Sequence, residues 1–166
     1  MIRLLLVEDD KSLRYIIKKC LEDMIGGYEI CTAGDGRAGI KLWKEYKPDV
    51  IIVDIEMPEM DGFEMVEKIR ETDGETLILF ASGRVSTKEV TAAFKIGGNN
   101  YVKKPFVPEE LDAHIKGILK LKKDLRVKNE SQTQHIGTYS FDAINGVLKD
   151  KDGNGVHLTA TEARIL

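Results

Sequence analysis

The sequence predicts an α/β fold, a doubly wound five-stranded parallel sheet followed by a short antiparallel β segment. Three observations carry this. Short unbroken apolar runs recur, foremost Leu4-Leu5-Leu6-Val7, Val50-Ile51-Ile52-Val53 and Leu77-Ile78-Leu79-Phe80-Ala81. Such runs fit strands covered on both faces rather than strands with one wet face. Segments with helical period lie between them, and strands alternating with helices imply parallel βαβ units. The runs also end in reactive side chains, Glu8-Asp9-Asp10, Asp54 and Ser82-Gly83.

The first strand is the run from Leu4 to Val7. Leu13, Ile16, Ile17, Cys20, Leu21 and Met24 then recur on one face and predict a helix, with Asp10 as its cap. A second strand is expected from Tyr28 to Ala33. The runs beginning at Val50 and Leu77 make the third and fourth. A shorter fifth, Tyr101-Val102, leads into Lys103-Lys104-Pro105-Phe106. Leu111, Ile115, Ile118, Leu119 and Leu125 repeat more loosely and predict the last helix of this unit. Cys20 and Cys31 fall on expected core faces and read as reduced thiols, not as a disulfide or a metal pair. Met57, Met60 and Met65 read as packing residues, and Asp61-Gly62 alone as an ordinary turn into a helix.

With 166 residues, the chain has room for one packed domain of about 120 residues and something smaller. The expected organisation is a domain over residues 1–122, a linker over 123–135 and a β segment over 136–166. The polar, aperiodic stretch from Val127 to Gln134 marks a linker or a fraying helix end. Beyond it, strands are expected at 138–141, at Val147-Leu148 and at 156–158, with the hairpin signal Asn145-Gly146 and the turn Asp152-Gly153-Asn154-Gly155 between them. Thr159 and Glu162 form a capping-box pattern at a helix start. Residues 150–155 imitate the first half of a calcium-binding loop. Its twelfth position is Thr161 rather than Glu, so a β-turn is expected instead.

A formal net charge of -3 argues against a nucleic-acid surface over the whole chain. The cations between Lys116 and Lys128 read as a solvated helix end that complements the helix dipole. No apolar stretch approaches the roughly 18 residues that a membrane span needs, and no signal-peptide pattern opens the chain. A cytoplasmic protein without a membrane partner is expected.

In open α/β sheets functional groups gather outside the carboxyl ends of the strands, where Asp9, Asp54, Ser82 and Lys104 all fall. Four β-branched residues pin the Asp54 carboxylate on rigid backbone, a position suited to a nucleophile or a metal ligand. Taken one at a time, Asp54 reads as a strand-end turn acid, Ser82-Gly83 as a loop start and Tyr101 as a core aromatic.

Together these residues resemble a known family. Glu8-Asp9, Asp54 with Met57-Pro58 and Met60-Asp61-Gly62, Ser82-Gly83, and Tyr101 with Lys104-Pro105-Phe106 stand in the order of a two-component response regulator receiver domain, which is flavodoxin-like. The tail, with Leu158-Thr159, Thr161-Glu162 and Ile165-Leu166, resembles the truncated start of the winged-helix DNA-binding domain of the OmpR/PhoB subfamily.

The resemblance implies that Asp54 accepts a phosphoryl group from a histidine kinase. Three acids at one point need a cation, and hard oxygen ligands favour Mg2+. By the resemblance Asp9, Asp54 and the Glu56 backbone carbonyl hold it, with Glu8 acting through water. Lys104 and Ser82 would contact the phosphoryl oxygens, Tyr101 would rotate to switch the surface, and Pro105 is a candidate cis proline. A homodimer is expected on activation, and DNA is expected as a partner of the full-length protein only. The chain carries Asn99-Asn100 and His114 where relatives usually carry an acidic pair and an arginine. Its dimer is therefore expected to be weaker and less salt-sensitive. The tail strands are expected to pair edge to edge with another chain. The alternative is a Mg2+-dependent phosphatase of the haloacid-dehalogenase type. That class resembles Asp-x-Asp at the nucleophile, whereas here Glu56 stands two residues after Asp54.

Overall fold

The structure, a computed structural model, describes residues 1–84, 86–131, 133–136, 139–142, 147–149 and 155–157. It divides into two compact units, Met1–Leu119 and Lys120–Leu166.

The first unit alternates strand and helix: β1 (Ile2–Val7), α1 (Lys11–Lys19), β2 (Tyr28–Ala33), α2 (Gly36–Tyr46), β3 (Val50–Asp54), α3 (Gly62–Arg70), β4 (Leu77–Ser82), α4 (Thr87–Lys95), β5 (Asn100–Lys103) and α5, which begins at Pro108. All neighbouring strands are parallel, in the order β2-β1-β3-β4-β5. The chain reverses its winding at β1, so the crevice above β1 and β3 is the switch point where ligands bind in such sheets. The two-residue period of a strand splits the apolar runs between two cores. Leu4, Leu6, Val50, Ile52 and Leu79 pack with Ile17, Leu21, Leu111 and Ile115 on one face. Leu5, Val7, Ile51, Val53, Ile78 and Phe80 pack with Met65, Val66, Ile69 and Ala93 on the other. Met57, Met60 and Met65 are all buried, and the Phe63 and Phe80 rings lie 5.3 Å apart.

The apolar stripe of α1 is narrower than the sequence suggests. Ile17 and Leu21 are buried and Leu13 packs against the core, but Ile16 and Met24 are exposed. The helix widens after Lys19 into a π-helical turn, Cys20–Ile25, which shifts the later positions off the 3.6-residue period. Both cysteines are free and half-buried. The π turn carries Glu22 to the edge of the sheet. Ile30 of β2 donates its N–H to Glu22 Oε1 at 2.8 Å, and Lys18 Nζ donates to the Ile30 carbonyl at 2.5 Å. Lys18 and Glu22 themselves lie 3.5 Å apart. Two side chains thus occupy backbone groups that an added strand would use.

In the second unit α5 continues to Ser131, and β6 (Thr133–Ile136), β7 (Tyr139–Asp142), β8 (Val147–Lys149) and β9 (Gly155–His157) form an antiparallel sheet in that order. The stretch 123–135, read from sequence as a linker, therefore holds the end of α5 and most of β6. Leu, Lys, Arg and Glu are good helix formers and extend α5, although Leu125 is exposed. A partner strand turns residues 133–136 into β structure, with Ile136 opposite Tyr139. Asp142 pairs with Val147 across the Asn145-Gly146 signal. That dipeptide, residues 150–154 of the calcium-like loop and the expected helix start at Thr159 lie outside the described residues. Among the described residues no helix is long and apolar enough to cross a membrane.

Candidate functional site

The site is built where β1, β3, β4 and β5 end. Asp54 is the last residue of β3, and the chain behind it is held by close backbone packing. Gly62 donates its N–H to the Ile55 carbonyl at 3.0 Å. A Cβ on Gly62 would stand 2.3 Å from the Asp54 carbonyl oxygen, so only glycine lets α3 begin this close to the strand. Asp61 caps α3 in a reciprocal box with Glu64. Asp10 caps α1 by accepting from the N–H groups of Ser12 and Leu13.

These supports bring Glu8, Asp9 and Asp54 together, with carboxylate oxygens all within 4.8 Å of one another. Glu8 and Asp54 are only 3% and 6% exposed. Lys104 bridges the two, its Nζ 2.6 Å from Glu8 Oε2 and 2.9 Å from Asp54 Oδ2. The Lys104–Pro105 peptide bond is cis. Asp54 Oδ1 also accepts the Glu56 N–H at 3.3 Å. Burial pushes the Glu8 carboxyl above its usual 4.5; the Asp54 charge adds to this and the Lys104 hydrogen bond opposes it. Burial by itself would lower the Lys104 ammonium, but its hydrogen bonds to Glu8 and Asp54 outweigh that and the net shift is upward.

With all three acids ionised, three carboxylates against one ammonium leave two negative charges uncompensated. That charge, and an all-oxygen donor set, fit a hard divalent cation such as Mg2+. The Glu56 carboxylate is not in the group; it pairs with Arg84 at 2.9 Å. The second carboxylate of an Asp-x-Asp nucleophile motif is therefore missing here.

Ser82 ends β4 fully buried, and its Oγ accepts the Arg84 N–H at 3.1 Å. Tyr101 packs against the core, and its hydroxyl donates to the Arg84 carbonyl at 2.6 Å. Arg84 thus touches Ser82, Tyr101 and Glu56. Sequence reasoning missed it, because nothing local links residues 28 positions apart. It also missed Arg14, whose guanidinium reaches the carbonyls of Glu8 and Asp9. Asn99 is engaged inside the fold, its Oδ1 accepting from the Ile78 N–H at 2.8 Å and from Arg70 at 3.3 Å. Asn100 Nδ2 and His114 Nδ1 lie 3.0 Å apart.

The chain is similar to known proteins over most of its length. Residues 4–116 match the family model described as the response regulator receiver domain. The transcriptional regulatory protein RprY of Bacteroides fragilis is 33% identical over 165 residues, covering 99% of this chain and 68% of that protein. The transcriptional regulatory protein AfsQ1 of Streptomyces coelicolor is 34% identical over 164 residues, covering 98% and 69%. The chain therefore spans about two thirds of the length of these relatives. Among solved structures, the chemotaxis protein CheY4 of Vibrio cholerae is 33% identical with a TM-score of 0.67, over 71% of this chain and 98% of that one. A receiver domain protein of Methanospirillum hungatei is 26% identical with a TM-score of 0.68, over 75% and 98%. An acidic switch-point crevice bridged by one lysine, on a chain similar along nearly its whole length to named transcriptional regulators, leads to one conclusion: the chain belongs to the response regulator receiver domain family, among regulators of OmpR/PhoB type.

Proposed function

We propose that the chain is a phosphorylation-dependent switch that takes a phosphoryl group on Asp54 from a histidine kinase. The observation that carries this reading is the convergence of Glu8, Asp9 and Asp54 within 4.8 Å around a single lysine. An Asp54 oxygen forms the bond to phosphorus as the bond from phosphorus to the donor's histidine nitrogen breaks, and the departing imidazole takes up a proton. Asp9, Asp54 and the Glu56 backbone carbonyl are assigned to holding Mg2+, with Glu8 acting through water. The metal supplies charge neutralisation for the carboxylates and for the transferring group. The remaining work is positioning. Lys104 lets go of one carboxylate to meet a phosphoryl oxygen, and the Ser82 hydroxyl turns from the Arg84 N–H to donate to another.

That movement of Ser82 pulls on Arg84, whose carbonyl holds the Tyr101 hydroxyl, so the ring reorients and reshapes the face of α4, β5 and α5. The output in this reading is a homodimer that places DNA-binding parts of the full-length protein. The first strands of a winged-helix domain are assigned to residues 136–166, and the protein acts in the cytoplasm. It is a regulator that assists its own modification rather than an enzyme turning over a diffusible substrate.

The test is labelling by acetyl phosphate with Mg2+, read by intact mass. We expect one phosphoryl group on the parent and none on Asp54→Asn. Full labelling of the variant would move the chemistry elsewhere, and labelling without Mg2+ would refute the metal assignment.

A further inference from the structure

Asp9 differs from its neighbours in having nothing to hold it. Glu8 and Asp54 are fixed through Lys104, but among the described residues no hydrogen bond or ion pair reaches the Asp9 carboxylate. Its direction is set by the backbone of the loop after β1, and that backbone has a specific holder. Arg14, half-buried near the start of α1, donates from Nη1 to the Glu8 carbonyl oxygen and makes a longer contact, 3.5 Å, to the Asp9 carbonyl. The loop after β2 leaves room for it at Gly34. A Cβ there would lie 3.2 Å from Arg14 Nη1 and 3.5 Å from Nη2. Three chain segments therefore meet at this guanidinium: the acid-bearing loop, α1 and the Gly34 turn.

We infer that Arg14 is a positioning residue for the acidic pair, fixing the peptide carbonyls of Glu8 and Asp9 so that both carboxylates converge on Asp54 for a divalent cation. It acts through the backbone and touches neither metal nor phosphoryl group. Nη1 serves both carbonyls while the rest of the planar guanidinium lies against Gly34, which fixes the direction of that donor in a way that a flexible lysine ammonium does not reproduce. Groups that orient ligands from behind typically change metal affinity or activity by about 10–100-fold when removed. The inference rests on the metal reading above.

The experiment is a titration of the unphosphorylated full chain with MgCl2, followed by amide shifts at Asp9 and Asp54, together with the urea midpoint of each variant. Arg14→Gln should raise the Mg2+ dissociation constant about 10-fold. Arg14→Lys, keeping the charge and N–H donors but not the planar head, should recover part of that loss. Gly34→Ala should weaken binding in the same direction but less, because the guanidinium is pushed aside by a few tenths of an ångström while its charge remains. This third variant also covers the case in which Arg14→Gln does not fold. Parental Mg2+ affinity in Arg14→Gln and Gly34→Ala, whatever their urea midpoints, would overturn the inference and leave the metal reading standing. Failure of the parent itself to bind Mg2+ would overturn both.

Discussion

Charge drawn at least partly out of water sits at both ends of this sheet, half-buried at one and buried at the other, and the two ends treat it in opposite ways. At the amino end, before β4 and β5, the Arg70 guanidinium donates to the carbonyls of Asp73, Thr76 and Gly97, each at 2.8 Å, and to Asn99 Oδ1 at 3.3 Å. Asp73 accepts from Trp43 Nε1 at 3.1 Å, from the Thr76 hydroxyl, and from the N–H groups of Glu75 and Thr76. Burial works against the Asp73 charge, yet these donors together hold its carboxyl down at about 2. At the carboxyl end, Glu8 is pushed up rather than down, because burial raises it most, the Asp54 charge adds to that, and the one ammonium that opposes them must serve two acids. Fixed neutral dipoles make the first site permanent. A single detachable cation keeps the second incomplete, and an incomplete charge is what a metal or a phosphoryl group can bind to. Such sites trade stability for function.

The contrast breaks most visibly at Lys104. Lys104→Met leaves Glu8 and Asp54 buried without their cation, and removing one partner of a buried ion pair costs about 3–5 kcal/mol. Urea unfolding at neutral pH without Mg2+ should show this loss, and saturating Mg2+ should restore much of it. A loss that Mg2+ does not reduce would mean that the carboxylates are not a cation site.

Arg70→Ala tests the other end. It orphans carbonyls rather than a charge, so the expected cost is smaller, roughly 1–3 kcal/mol for an unsatisfied buried group. Mg2+ should make no difference to it.

The ends should also separate by pH. Asp73 is depressed in the fold, so its contribution is complete above the unfolded value of 3.8 and is lost as pH falls from there through about 2. Glu8 is raised above 4.5, so its ionised form disfavours the fold, and the penalty grows as pH rises through the raised value. Urea midpoints from pH 2 to 7 should show Asp73→Asn flattening the acid limb and Glu8→Gln gaining stability toward neutrality. Matching profiles for both variants would erase the distinction between the two ends.

The smallest effect belongs to the half-buried pair that closes the sheet edge. Glu22→Ala removes one hydrogen bond from the Ile30 amide and should cost about 0.5–1.5 kcal/mol. Hydrogen exchange should quicken at that amide while the amides of β3 keep their protection. Sedimentation of the same variant shows whether the freed edge recruits a second copy.

The strands of the parallel sheet, its first and last helices and the reactive residues at the strand ends were legible in the sequence, because each is a local signal. An unbroken apolar run marks a buried strand, and the polar residues that close it stand at the carboxyl end, by the crevice. Asp54, Glu8, Asp9, Ser82 and Lys104 were found that way, and Asp10 was recognised as a cap from its place before an apolar period. The partners of those residues were not legible. Lys104 meets Glu8 across 96 positions of chain, and Arg84 meets Glu56 from a different loop. The exposure of Met24 follows a π turn that the periodicity of α1 does not announce. The strand at residues 133–136 exists beside β7 and has little signal of its own. Periodicity and composition act over one or two turns or a single strand, so the sequence by itself determined which elements form and which side chains stand at their ends. Which charge meets which depends on strand order and on loops that become neighbours only when the sheet assembles, and that was decided by the tertiary structure.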